Sequence, residues 1–201
     1  MKKESLNYFS ESEKGSVKRF EGYRTKILLP ICRLLSKAGI TADAISYVGF
    51  FSLAGFIYYV ESNPLLACLF IFIHVILDGL DGPLSRYCGT DGDSGALTDI
   101  LVDHTGMIVV VLTLIFFGLV NPFWAALYMF LYTLMIIFVI VRNKLGIPIK
   151  YVVRSKYFLY LVYLYWAITG TNVLSEAIII FTILMIPEIL ISYFKIKKVL
   201  K

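Results

Sequence analysis

The sequence predicts an all-α integral membrane protein: six transmembrane helices preceded by an N-terminal amphipathic interfacial helix. Three observations carry that prediction. Of 201 residues, 59% are apolar or aromatic and only 16% are charged, and the mean hydropathy is +0.80; a soluble chain of single-domain length cannot bury that much apolar surface. Six apolar runs are separated by short polar or Pro/Gly breaks, and the cations fall only in alternate breaks and near the chain ends. These features exclude a soluble enzyme, a disordered scaffold and a small disulfide-stapled secreted domain. The net charge of +5 does not point to nucleic acid, because its cations flank membrane segments.

Residues 1–16 read as a polar N-terminal tail without the short apolar run of a removable signal, so the chain is expected to be inserted whole. Over residues 17–38, Val17, Phe20, Tyr23, Ile27, Ile31, Leu34 and Leu35 recur at three- and four-residue spacing, with Lys18, Arg19, Arg24, Lys26, Arg33 and Lys37 between them. This is an amphipathic basic juxtamembrane helix, expected to bend or break at Pro30 and to lie among anionic headgroups. The alternative is an ordinary solvated helix packed on the protein.

The apolar runs cover residues 44–60, 65–82, 96–119, 123–141, 157–169 and 173–194. A hydrocarbon core of ~30 Å needs ~20 helical residues, so the first and fifth runs span only if Asp43 or Lys156 marks the interface. The breaks at 61–64, 120–122 and 170–172 contain no Lys or Arg, and all nineteen cations lie elsewhere. The positive-inside rule then puts both termini, the loops after the second and fourth helices and the basic tail 195–201 in the cytoplasm. The six-helix domain, residues 44–194, is the expected catalytic unit.

Six of the seven aspartates fall between Asp78 and Asp103, where the second and third spans are joined at the cytoplasmic end. Asp78 and Asp81 are three apart; Asp99 and Asp103 are four apart. Each pair therefore projects from one helical face, and two facing pairs make one site. An ionised Asp inside a span costs at least ~2.5 kcal/mol, and clustered carboxylates resist ionisation unless a cation intervenes. Aspartate oxygens without sulfur ligands favour Mg²⁺ or Mn²⁺ over zinc or copper. The alternative is four interfacial acids, solvated or paired with Arg86. Cys32, Cys68 and Cys88 form neither a disulfide framework nor a zinc pattern.

Written out, residues 78–103 read DGLDGPLSRYCGTDGDSGALTDILVD. The stretch resembles the signature of the CDP-alcohol phosphotransferase family, DxxDGxxAR followed by GxxxDxxxD, with Ser85 in place of the usual Ala. The resemblance implies a six-helix homodimeric enzyme of phospholipid biosynthesis. Such an enzyme moves the phosphoryl-alcohol part of a CDP-alcohol, most often CDP-diacylglycerol, to a second alcohol and releases CMP. It further implies that Asp78, Asp81 and Asp99 hold a di-metal site, with Asp103 at its edge as ligand and general base, and that Gly82 and Arg86 contact the CDP.

The motif letters have a physical reading of their own. Gly82 and Gly95 let a ligand approach the backbone, or else simply punctuate the loop. Arg86 offers a guanidinium fork to a diphosphate, or else neutralises Asp81 or Asp91. Asp91 and Asp93 read as solvated loop acids. Family members usually border the nucleotide pocket with a Pro-Asn pair; here Ala42 and Asp43 stand in its place, with Thr41 and Asp43 as the corresponding contacts.

Arg142, Lys144, Lys150, Arg154 and Lys156 cluster between the fourth and fifth helices. They suit an acceptor phosphate, or equally serve as positive-inside anchors. His74 and His104 read as packing residues or supports for the neighbouring carboxylates, and Glu188, beside Pro187, is expected to find a polar partner. Two other functions fit intramembrane acids: a prenyltransferase using metal-bound diphosphate, and a cation carrier. The first normally keeps its acidic motifs far apart in sequence. The second needs neither Arg86 nor the two glycines, and no inverted repeat links the halves.

Overall fold

The computed structural model describes residue 24 and residues 27–90, 92–149 and 154–201. The described residues form seven helices and no strand: α1 (Ile27–Lys37), α2 (Ala42–Tyr59), α3 (Pro64–Cys88), α4 (Asp93–Phe116), α5 (Pro122–Lys144), α6 (Ser155–Thr169) and α7 (Leu174–Val199). The tail 1–16, the part of the amphipathic segment before Arg24, Asp91 and Lys150 lie outside the described residues.

Capping chemistry sets the helix limits. The Thr41 hydroxyl accepts from Ala44 N at the start of α2, Asn63 accepts from Leu66 N before Pro64 of α3, and Asn121 accepts from Phe123 N and Trp124 N before Pro122 of α5. Each cap satisfies amides that have no acceptor inside the helix. The helix expected to stop near Gly82 continues through Pro83 to Cys88. It ends where Gly89 adopts φ 67° and Thr90 N returns to Ser85 O at 3.0 Å. The break expected at Pro30 is absent: α1 runs through it, and within the described helix Pro30 stands in the first turn.

Four helices, α3, α4, α5 and α7, are each long and apolar enough to cross a membrane. A fifth span arises if α1 and α2, which meet at 99°, are counted together. Alone, α2 has 18 residues; α6 has 15, about 22 Å at the helical rise of ~1.5 Å per residue. The protein is thus a multi-pass, all-helical membrane protein.

The helices α2, α3 and α4 pack together, α5 packs on α7, and α6 lies against α3 and α7. Their shared core includes Leu53, Phe56, Ile71, Met107, Leu114 and Tyr163. Large apolar side chains such as Phe51, Phe72, Leu101, Phe116, Phe130 and Leu161 point outward, as a surface solvated by lipid requires. Two of the cation-free breaks are bonded to one another, and the third is reached from α6. Asn172 donates to Leu119 O at 2.8 Å, Ser175 Oγ accepts from Asn121 N at 2.9 Å, and Tyr163 reaches Pro64 O at 3.3 Å.

Cys32 of α1 packs with Ile45 of α2 and Leu84 of α3. Ile27, Ile31 and Leu34 remain on the outer face of α1. Deeper in the bundle His74 donates through Nδ1 to Gly49 O at 3.1 Å. Its Nε2 lies 2.7 Å from where a Cβ on Gly106 would stand. Only a residue without a side chain lets α4 approach the imidazole this closely.

Candidate active site

Asp78 and Asp81 occupy α3 one turn before its last two turns, and Asp99 and Asp103 follow the start of α4. One carboxylate oxygen from each of Asp78, Asp81 and Asp99 lies within 4.8 Å of the other two. Two helices alone bring this trio together. Asp81 is buried and doubly held: Ser46 Oγ of α2 donates to its Oδ2 at 2.6 Å, and Gly82 N donates to its Oδ1 at 2.6 Å. Pro83 carries no N–H, so it withholds the usual helical bond from the Gly79 carbonyl, one residue from Asp78.

The fourth acid stands apart from this trio. Asp103 is buried in an ion pair with Lys156 Nζ of α6. Lys156 is itself buried, and its ammonium lies 4.5 Å above the Tyr157 ring. Arg154 and Lys156 both lie within electrostatic reach of Asp78.

Gly82 is flanked by two guanidinium groups. A Cβ there would stand 3.4 Å from Arg24 Nη2 and 3.5 Å from Arg86 Nη1. Arg24 is the site residue that sequence reasoning missed. It reads only as one of several cations on the amphipathic segment, and no spacing distinguishes which of them turns inward. Ser46 falls in the stretch, residues 39–46, whose family counterpart borders the nucleotide pocket, but nothing in the sequence marks Asp81 as the acceptor of its hydroxyl.

Thr41 and Asp43 are both exposed at the start of α2, where the Thr41 hydroxyl caps the helix. Gly95 lies in the first turn of α4 with open space where a Cβ would point. Lys144 is exposed at the end of α5. Arg142 is almost wholly enclosed, and its guanidinium is committed to Ile147 O, Pro148 O, Ser192 Oγ and Glu188 Oε1 at 2.8–3.0 Å. That network joins α5, the following loop and α7, and it supplies the polar partner expected for Glu188. His104 stacks on Tyr132 and bonds through Nε2 to Thr133 Oγ1 at 2.9 Å. Because Thr133 itself donates to Met129 O, the imidazole N–H is the donor of that bond.

The donor set fits a hard divalent cation: three carboxylates converge, and no thiolate or imidazole joins them. Beside it stand guanidiniums suited to phosphate oxygens. In a helical membrane protein, such a site defines a candidate centre for metal-assisted chemistry on phosphate groups. Over residues 39–193 the chain matches the family model for CDP-alcohol phosphatidyltransferase, and it belongs to that family. It is therefore a transferase of substituted phosphate groups, from a family that depends on divalent metal. No curated protein matches the chain.

Proposed function

We propose that the protein transfers a phosphatidyl group from a CDP-alcohol such as CDP-diacylglycerol to the hydroxyl of a second alcohol, releasing CMP, in phospholipid biosynthesis. The observation that carries this reading is the convergence of Asp78, Asp81 and Asp99 within 4.8 Å beside Arg24 and Arg86, in a chain of this family.

Asp78, Asp81 and Asp99 hold Mg²⁺ or Mn²⁺ in a two-metal site, with Asp103 at its edge. Ions bound there supply charge stabilisation for the entering and leaving oxygens. Arg86 and Arg24 bind the diphosphate, and Gly82 keeps the backbone clear for it. Gly95, Thr41 and Asp43 border the nucleotide. Asp103 takes the proton of the acceptor hydroxyl as its oxygen bonds to the lipid-side phosphorus, and the bond from that phosphorus to CMP breaks. Arg154, Lys144 and Lys150 are the cations that bind an acceptor phosphate; Arg142 and Lys156, expected with them, are buried in ion pairs with Glu188 and Asp103.

The reading includes six spans, α2 to α7, with α1 lying in the interface. The bonding of two cation-free breaks to one another supports it, as do the outward Ile27, Ile31 and Leu34 on a helix turned 99° from α2. By the charge rule the acidic site and both termini face the cytoplasm, and family resemblance adds a homodimer. Purified protein with Mg²⁺ or Mn²⁺ is expected to release CMP from CDP-diacylglycerol when the matching acceptor is supplied. A panel of glycerol phosphate, inositol phosphate and small polar alcohols identifies that acceptor. CMP release from none of them, with folded protein, overturns the assignment.

A further inference from the structure

Lys156 is the second residue of α6, where the partial positive charge of the helix N-terminus disfavours a cation. It is nevertheless enclosed, with 2% of its side chain exposed. A buried ammonium persists only with compensating negative charge, and its compensation comes from the acidic site: it pairs with Asp103 and feels Asp78 and Asp99. The start of α6 is fixed against α5 by the buried contact between the Tyr128 hydroxyl and Ser155 Oγ at 3.0 Å. The Lys156 stem is thereby anchored beside the carboxylates and carries its ammonium on four rotatable carbons.

We infer that Lys156 is a tethered internal cation that competes with divalent metal for Asp103 and so sets the metal affinity of the site. The inference rests on the acidic-site reading proposed above. Asp103 lies outside the convergent group of Asp78, Asp81 and Asp99 and is engaged by Lys156, so it becomes available to an entering ion only when the ammonium withdraws. Lys156 acts through Asp103 and is a positioning residue. Replacing it with a neutral side chain of similar length removes the ammonium that pairs with Asp103 and acts on Asp78 and Asp99, and a divalent ion gains what the ammonium gave up.

The test is Mn²⁺ binding to the full-length protein in detergent, read from the free-ion electron paramagnetic resonance signal without any substrate. Lys156→Met is expected to tighten Mn²⁺ binding about tenfold or more. Lys156→Arg, which keeps the ion pair, is expected to bind as wild type does, and adding Asp103→Asn to Lys156→Met is expected to abolish the gain. Lys156→Gln takes the place of the methionine variant if that variant folds poorly, and Mn²⁺ binding tightened as much by Lys156→Arg as by the neutral variant contradicts competition by charge. Equal affinity in wild type and Lys156→Met overturns this inference and leaves the acidic site standing. No saturable Mn²⁺ binding to either protein overturns both.

Discussion

Ser46 of α2 donates a 2.6 Å hydrogen bond to Asp81 of α3, deep in the helix contact and 35 residues away in the chain. A buried carboxylate is thus oriented by a helix that contributes no acid of its own to the trio. A hydrogen bond to a charged group is worth ~1.5–3 kcal/mol. Ser46→Ala is therefore expected to weaken Mn²⁺ binding roughly ten- to hundredfold while the protein stays folded. Titration of Mn²⁺ against the purified variant checks this; unchanged affinity removes Ser46 from the site.

Asp103 and the trio separate in their roles. Asp103→Asn is expected to keep CDP binding and to lose turnover by about 10²–10⁴, the usual worth of a positioned general base. Asp78→Asn, Asp81→Asn and Asp99→Asn are expected to lose metal binding together with activity. Parallel measurement of CDP affinity and CMP release distinguishes the two behaviours, and full turnover by Asp103→Asn contradicts its role as base.

Gly82 is the hinge between the acids and the guanidiniums. A methyl group there would meet Arg24 and Arg86 at ordinary contact distance, 3.4 and 3.5 Å, and would fill the space between them in which a phosphate oxygen binds. Gly82→Ala, Arg24→Ala and Arg86→Ala are each expected to raise the CDP dissociation constant, by about tenfold or more for each arginine. Calorimetry with CDP in the presence of Mn²⁺ reads this directly. Wild-type affinity in Arg24→Ala would return that residue to the role of a membrane-facing cation.

Glu188 supports the bundle rather than the chemistry. Removing one partner of a buried ion pair costs ~3–5 kcal/mol, and the 27% exposure of the Glu188 side chain puts Glu188→Ala toward the low end. Its melting temperature should fall, and Glu188→Gln, which keeps an acceptor for Arg142, should recover part of the loss. Thermal unfolding in detergent measures both. An unchanged melting temperature in Glu188→Ala denies the Arg142 network a structural role.

The sequence made the acidic site legible because its parts are local. Asp78 with Asp81 and Asp99 with Asp103 sit at helical spacing on consecutive helices, so periodicity and one short turn suffice to predict that Asp78, Asp81 and Asp99 meet; Asp103, expected to join them, pairs with Lys156 instead. What periodicity does not carry is partnership across distant elements. Lys156 and Asp103 are joined through the packing of α6 against the bundle, and Arg24 lies beside Gly82 although the two are far apart in the chain. The end of α3 was misplaced because Gly82 and Pro83 read as a stop, whereas the backbone tolerates them and the left-handed conformation of Gly89 supplies the termination. Span length remains the least legible property at α2 and α6, whose apolar runs are short and flanked by charged or polar residues.

The central claim is that Asp78, Asp81 and Asp99 form a divalent-metal centre between α3 and α4. Crystals soaked in Mn²⁺ and measured at the manganese absorption edge test it most directly. The account predicts anomalous peaks within coordination distance of those three carboxylates. No peak there, with the carboxylates turned away from one another, would contradict it.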